Sequence, residues 1–434
     1  MLTRTICEYG QIRRSEIPPA ILRQWQRFDE QHALRTGDTV FDWHHLHFVK
    51  AKSYVGVVQI GDLQIEILPK IDNQSITGQE GAEFNQQNTR QNFLYMLSMA
   101  GKLPLHERDL ASQKIRSLPL WEALIRIFAG RLLVELRRGQ QHAYMYREEN
   151  LTCVRGRILI QHQLTRNPAQ RHKIHVGFDE FSNDTPLNRI LKAGCVRLLA
   201  MTNLVETQQL LREGLLELAD VGEQVVAPHD FDAVRFDRGS ERFRELLEFC
   251  RLVFLGATPS PEVGSKTIFS LLFPMEKLFE EFVGGCLKKF AADLGFRRAD
   301  LHLQSEANRR WLLRDLKNRG KFRLKPDVLI NDNAGSPRLI LDTKWKRPLS
   351  DDADTKNGVQ QGDMYQLYAY ATRYKCRDNI LLFPSVAGVT PKSYIIEDTP
   401  QTRLRVEFLD LSFDLRRDHE RLVAGIKQAL ALDN

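Results

Sequence analysis

The chain has 434 residues, a hydrophobic fraction of 42% and a net charge of +7, with a pI of about 9.0. Its length exceeds one ordinary domain, so two or three are expected, and its composition excludes a disordered or fibrous chain. The basic balance favours a polyanionic partner. The opening MLTRTICEYGQIRR has no apolar core, so no signal peptide is expected. No stretch reaches the roughly 18 consecutive apolar residues of a membrane span.

In chain order, the first elements are strands. In VGVVQIGDLQIEILPK, Leu63, Ile65 and Ile67 alternate with Gln64 and Glu66, the pattern of a half-buried strand. Gly61-Asp62 between two such runs predicts a tight hairpin. The polar stretch 78–92, GQEGAEFNQQNTRQN, has little periodicity and reads as a loop or linker. A helical middle follows. Trp121, Leu124, Ile125, Phe128, Leu132 and Leu136 fall at helical spacing, and Gly139 is a plausible stop. Arg157 to Ile160 reads as a short strand. Thr185-Pro186-Leu187 reads as a cap and first turn, and SERFRELLEFCRLVFLG as a further helix. The segment 256–266, GATPSPEVGSK, is the second boundary.

Beyond it, Pro274 opens a helix with apolar Met275, Leu278, Phe279, Phe282 and Val283. Asp327 to Ile330 and Arg338 to Trp345 are short apolar strands, MYQLYAYATRY is helical, and NILLFPS is another buried strand. The order α-β-β-α-β fits a small α/β core. The expected architecture is multi-domain α+β: a β-rich part over 1–90, a mainly helical part over 91–262, and an α/β part over 263–434.

The six cysteines, Cys7, Cys153, Cys195, Cys250, Cys286 and Cys376, form no C-x-x-C pair and no Cys/His cluster of zinc-site spacing. They are expected to be free thiols in a reducing cytoplasm. His45 and His47 could share a strand face, but with His44 they lack an evident third ligand and read as surface or packed histidines. No G-x-x-x-x-G-K-[ST] loop is present, so the chain itself is expected to bind no nucleotide, and there is no G-x-S-x-G elbow.

The chemistry concentrates at Pro326-Asp327 and Asp342-Thr343-Lys344. Phosphodiester hydrolysis develops negative charge on the attacking and leaving oxygens, and Mg²⁺ held by carboxylates offsets it. Asp342 and Lys344, at i and i+2 of a strand, project from one face. The lysine could orient a water or stabilise charge beside the metal. Both aspartates flank apolar strands, where a carboxylate is costly unless paired or metal-bound. On the preceding helix, Glu280 offers a third carboxylate, with Glu281 pointing about 100° away. Gln366 and Tyr370, at i and i+4, share a helix face and could order the site. A basic run precedes these residues: Arg309, Arg310, Arg314, Lys317, Arg319, Lys321, Arg323 and Lys325, with Asp315 the one acid among them. In KFRLK the cations alternate with Phe322 and Leu324. This predicts one cationic strand face for a phosphate track and one buried face.

KPDVLI, LILDTKWK and QLYAY together resemble a PD-(D/E)xK nuclease with the Q-x-x-x-Y helix of the RecB-like branch. MEKLFEEFV, VRGRI, DEFSNDTPLNRILK and YVGVVQIGDLQIEILPKI are similar to segments of the McrC family, the nuclease subunits of McrBC-type, modification-dependent restriction systems. The match touches most of the chain in family order. The resemblance implies a C-terminal PD-(D/E)xK nuclease core that uses Mg²⁺, with Mn²⁺ as a substitute. It further implies docking of the N-terminal part on a McrB-like AAA+ GTPase ring, stimulation of its GTP hydrolysis, and cleavage of modified double-stranded DNA in the cytoplasm, with no membrane involved. By motif, Glu280, Asp327 and Asp342 would bind metal and, with Lys344, be catalytic, Gln366 and Tyr370 would support them, and Arg319, Lys321, Arg323 and Lys325 would contact DNA. The motif reads Asp-Thr-Lys where the family often has Ala in the middle. Thr343 faces away from Asp342 and Lys344 and is expected to be neutral. Two alternatives are a stand-alone RecB-like repair nuclease and a catalytically inactive regulatory adaptor of an AAA+ partner.

Overall fold

The computed structural model describes residues 2–71, 79–103, 110, 113–170, 172–255, 268–304, 309–346, 359–386, 388–397 and 399–431. The chain divides into two compact units, Met1–Leu120 with Ser260–Asn434, and Trp121–Pro259. The first stretch carries β1 (Leu2–Cys7), β2 (Gln11–Arg13), α1 (Pro19–Thr36), β3 (Phe41–Asp42), β4 (Phe48–Ala51), β5 (Tyr54–Ile60), β6 (Leu63–Leu68), α2 (Gln79–Met99) and α3 (Gln113–Arg116). The second unit holds α4 (Leu120–Arg137), β7 (Ala143–Leu151), β8 (Arg157–Ile158), α5 (Ile160–Arg166), β9 (Ile174–Ser182), α6 (Pro186–Leu199), α7 (Val205–Glu217), α8 (Pro228–Ala233) and α9 (Arg244–Leu255). The chain then returns through β10 (Ile268–Pro274), α10 (Met275–Lys289), β11 (Leu301–Leu303), β12 (Arg310–Arg314), β13 (Gly320–Leu324), β14 (Val328–Asn331), β15 (Pro337–Thr343), α11 (Gln361–Tyr374), β16 (Asp378–Pro384), β17 (Lys392–Ile396), β18 (Thr399–Leu409) and α12 (His419–Leu430).

The N-terminal part is β-rich, as expected. β5 and β6 form the hairpin across Gly61-Asp62, with Gly61 at φ 59°. Trp25 and Phe28 of α1 pack with Phe41, Val58, Ile60, Ile65 and Ile67 in one core. The sheet order is β1-β6-β5-β10, so a strand from beyond the second unit completes it. β10 runs antiparallel along all of β5, from Ile268 opposite Ile60 to Pro274 opposite Tyr54. This pairing is why segments read as separate parts, 1–90 and 263–434, belong to one unit. Gly56 makes the pairing possible. At φ 132° a Cβ there would meet the Leu271 carbonyl oxygen at 1.9 Å.

Two sequence expectations change in this region. β6 is buried on both faces, not one, and Gln64 and Glu66 are inside with the leucine and isoleucines. Alternation marks a half-buried strand only when the polar face meets water; here Arg90 of α2 reaches in to meet Glu66. The stretch read as a linker over 78–92 is helix from Gln79 onward, residue 78 lying outside the described residues. The helix runs on to Met99, and beyond the polar stretch it is buried all round: Phe93, Leu94, Tyr95, Met96 and Leu97 are all inside.

The second unit is mainly helical. The six apolar positions read on α4 are all buried. Thr185 caps α6, its side chain accepting from the Asn188 N–H, with Pro186 in the first turn. The run 157–160 splits: Arg157–Ile158 is strand and Ile160 begins α5. β8 joins β7 and β9, two strands unread in the sequence, in a three-stranded sheet of order β7-β9-β8. The boundary segment 256–266 lies outside the described residues.

The C-terminal segment builds a mixed six-stranded sheet, β11-β14-β15-β16-β18-β17. The expected α-β-β-α-β order is present as α10, β14, β15, α11 and β16, widened by β11, β17 and β18. α11 packs Leu367, Tyr370, Ala371 and Tyr374 on Leu329, Ile340, Leu381 and Phe383. Among the described residues, no helix is long and apolar enough to cross a membrane.

Candidate active site

The sheet register brings the two aspartates together. β14 and β15 are antiparallel, with Val328 opposite Leu341, so one further step places Asp327 across from Asp342. Opposed residues of an antiparallel pair share a face. β15 then runs parallel to β16, and the Lys344 N–H donates to the Leu382 carbonyl at 2.9 Å, which extends the strand geometry past Thr343. Lys344 consequently lies on the Asp342 face, its Nζ 2.6 Å from Asp342 Oδ2.

Burial sets the electrostatics. Asp342 is 2% exposed. Burial and the neighbouring Asp327 push its carboxyl up to about 7, against the pull of Lys344. Burial also raises Asp327, opposed by two hydrogen bonds from Thr343. Glu280 on α10 is pushed up to about 7 by burial, then by Asp327 and Glu281. Lys344 is pushed down by burial, but Asp342 and then Asp327 and Asp363 hold its ammonium above the ordinary value. The result is three half-to-fully buried carboxylates that repel one another around a single lysine, with Lys325 nearby.

The helix carboxylate of the cluster is Glu280. Its neighbour Glu281 pairs with Lys102 at 2.7 Å. Gln366 and Tyr370 form a directed chain. Lys344 Nζ donates to Gln366 Oε1 at 3.1 Å, Gln366 Nε2 to the Tyr370 hydroxyl at 2.8 Å, and that hydroxyl to the Lys325 carbonyl at 3.1 Å. Lys344 Nζ is shared between Asp342 and Gln366, so the lysine is steered from the helix and the helix is tied to the residue two before Asp327.

The basic run forms the hairpin β12–β13, with its cations spread out. Lys325 lies close enough to lower both Glu280 and Asp327, and its ammonium donates to Gln304 Oε1 at 2.7 Å. Arg319 is held at the hairpin turn by Asp315 at 2.8 Å. Lys321 and Arg323 are exposed on β13. The expected buried face fails at Phe322, which is 70% exposed with φ 54°. A left-handed residue breaks the alternation of a strand, so Leu324 turns inward and Phe322 does not.

Sequence reading missed two contributors. Thr343, expected to be neutral, touches the site: its N–H and its hydroxyl both donate to Asp327 Oδ2, at 2.7 and 2.8 Å. Facing away from Asp342 does not face it away from the strand next door. Trp345, one residue past Lys344, donates its indole N–H to the buried Glu8 carboxylate at 2.9 and 3.0 Å and lies against Phe279, 5.3 Å between ring centroids. It anchors the end of the site strand to the N-terminal part of the same unit. Nothing local in the sequence signals a partner 337 residues away.

A hard, oxygen-preferring dication fits this donor set. The carboxylates lack enough cationic partners, and Mg²⁺ takes one or two carboxylates while keeping several waters. Their oxygens do not all lie within 4.8 Å of one another. Among the described residues that spacing is reached by Glu148, His162 and His175 in the second unit.

A family model described as McrBC 5-methylcytosine restriction system component matches residues 49–384. No curated protein matches. Among solved structures, the chain is similar to one in a refined half-complex from a tetradecameric assembly of Thermococcus gammatolerans McrB AAA+ hexamers with bound McrC. That likeness covers 98% of this chain and 100% of the other, at TM-score 0.71 and 20% identity. A chain of the cryo-EM structure of the Thermococcus gammatolerans McrBC complex matches 66% of this chain and 87% of its own length, at TM-score 0.51 and 26% identity.

Proposed function

The chain belongs to the McrBC 5-methylcytosine restriction system component family, and from that premise we propose that it is the McrC-type subunit, a Mg²⁺-dependent endonuclease that cuts DNA and stimulates a partner AAA+ GTPase. The family resemblance read from the sequence is borne out by the match over residues 49–384. The observation that carries the enzymatic reading is the convergence of Asp327, Asp342, Glu280 and Lys344 at the end of paired strands, in the order of a PD-(D/E)xK core.

In this reading Glu280, Asp327 and Asp342 hold the metal. When bound, Mg²⁺ supplies charge stabilisation at the attacking and leaving oxygens of the phosphodiester. The chain's own residues do the positioning. Thr343 fixes Asp327 through Oδ2, leaving the other carboxylate oxygen for the site. Lys344, steered by Gln366, presents its ammonium beside Asp342, where it can orient a water and bear on the phosphate charge. Tyr370 locks Gln366 and, through the Lys325 carbonyl, fixes α11 relative to the approach to β14. Lys325 lies at the cluster, and Lys321 and Arg323 give the nearby hairpin an exposed cationic surface for backbone phosphates.

The partner in this reading is a McrB-type GTPase ring of the kind in the similar assemblies, and selection of the modified site lies with that partner. The test is the Asp342→Ala variant assayed with partner, GTP, Mg²⁺ and methylated DNA. Cleavage should disappear while stimulation of partner GTPase remains. Persistent cleavage would overturn the site, and unaided degradation of DNA by the purified chain with Mg²⁺ would favour a stand-alone nuclease.

A further inference from the structure

We propose that Glu148, His162 and His175 bind one zinc-class divalent cation in the second unit, separate from the carboxylate cluster. The three come from different elements: Glu148 from β7, His162 from α5 and His175 from β9. β7 and β9 pair with Glu148 opposite Gly177, so His175, two residues from Gly177, shares its face and sits diagonal to Glu148. Glu148 Oε2 is 3.2 Å from His162 Nδ1 and 4.0 Å from His175 Nε2, and the imidazole planes are crossed at 83°. Tetrahedral zinc with bonds of about 2.0–2.1 Å sets its ligand atoms about 3.3 Å apart. The observed separations bracket that value.

The independent sign of a missing partner is His175. Its side chain is 7% exposed, and neither ring nitrogen has a hydrogen-bond partner. His162 Nδ1 is also buried without a hydrogen bond. A buried imidazole normally satisfies at least one nitrogen, because leaving both without a partner forfeits the hydrogen bonds water would give. Two imidazoles and one carboxylate form a borderline-soft donor set that suits zinc and its neighbours better than Mg²⁺. Three protein ligands leave the fourth position to water, on the exposed Glu148 side.

The surroundings hold the backbone at His175, and α5 against β7, in place independently of any ion. The His175 N–H donates to Gln163 Oε1 at 2.7 Å, and its carbonyl accepts from the Leu159 N–H at 2.9 Å. Asn167, at the end of α5, exchanges amide hydrogen bonds with Asn150 of β7 at 2.6 and 2.7 Å. Zinc at this point clamps α5, only seven residues long, onto the β7–β9 pair.

The test is titration of the purified full chain with Co²⁺, whose visible bands are much stronger in four- or five-coordinate sites than in the aquo ion. One Co²⁺ per chain should give such bands in the wild type and in Asp342→Asn, and zinc should bleach them. They should vanish in His162→Asn and His175→Asn, and zinc should raise the wild-type Tm by about 5 °C but leave His162→Asn unmoved. If His175→Asn fails to fold, His162→Asn and Glu148→Gln decide. Bands absent from the wild type, lost in Asp342→Asn, or retained in His162→Asn overturn the proposal.

Discussion

The first unit buries an acid in each of its two large sheets, and the two are treated in opposite ways. Glu66 on β6 is 0% exposed and fully partnered. Arg90 donates to both its oxygens at 2.8 and 2.7 Å, the Thr5 hydroxyl at 2.7 Å and the Leu120 N–H at 2.8 Å. Asp342 on β15 is as deeply buried, but it faces another aspartate and a glutamate and has one lysine, which Gln366 also engages. A buried charge with four donors is architecture. A buried charge short of donors stays unrelieved, and burial with the neighbouring Asp327 drives its carboxyl up to about 7 against the pull of Lys344.

The comparison breaks most readily by substitution. Asp342→Asn should lower cleavage by about a thousandfold, the factor that about 4 kcal/mol of lost transition-state stabilisation represents. Its Tm without metal should equal or exceed that of the wild type at pH 8, because an unrelieved charge has been removed. Arg90→Met should do the reverse. It leaves Glu66 buried and uncompensated and should cost about 3–5 kcal/mol of stability. The loss should appear in denaturant unfolding and should not be recovered with Mg²⁺. Equal destabilisation by the two variants would show that Asp342 is as structural as Glu66.

Protons sharpen the same contrast. With Asp342 and Glu280 raised to about 7 in the fold, each keeps its proton between its ordinary value near 4 and about 7, where the unfolded chain has lost it. The folded state binds more protons across that window, so metal-free stability falls as pH rises from about 4 to about 7 and levels off above. The Tm of wild type relative to Asp342→Asn, followed in EDTA, should decline over that window. Mg²⁺ must displace the same protons, so its affinity should climb through pH 7. A flat difference between the two proteins would mean that Asp342 is already relieved within the fold.

What the sequence disclosed follows the range of the interactions. Asp342 and Lys344 announce themselves because two residues of one strand suffice, and apolar flanks mark the strand. Gln366 and Tyr370 announce themselves through one helical turn. Glu66 reads as the polar face of an ordinary strand, since its partner Arg90 lies 24 residues on, in a stretch that looks like a linker. Trp345 and Glu8, and likewise Glu148, His162 and His175, depend on tertiary placement alone and leave no local pattern. That the first unit is built from two separate stretches of chain was hidden for the same reason: β10 joins a sheet begun more than 200 residues earlier. Phe322 was misread because one left-handed residue overturns an alternation that composition alone supports.

The smallest expected effect tests the finest point of the comparison, whether Asp327 is held as Glu66 is held or only aimed. Asp327 Oδ2 receives two donors, both from Thr343, and one of them is backbone. Thr343→Ala removes the hydroxyl and keeps the N–H, so about 1 kcal/mol of hydrogen bonding is lost, roughly a fivefold change in cleavage rate or Mg²⁺ affinity. Thr343→Val, which keeps the branched shape without the donor, should match Thr343→Ala. If either variant fell to the level of Asp342→Asn, the side chain rather than the strand pairing would be what places Asp327. The second strand of the site would then be positioned by a single hydroxyl and not by the sheet.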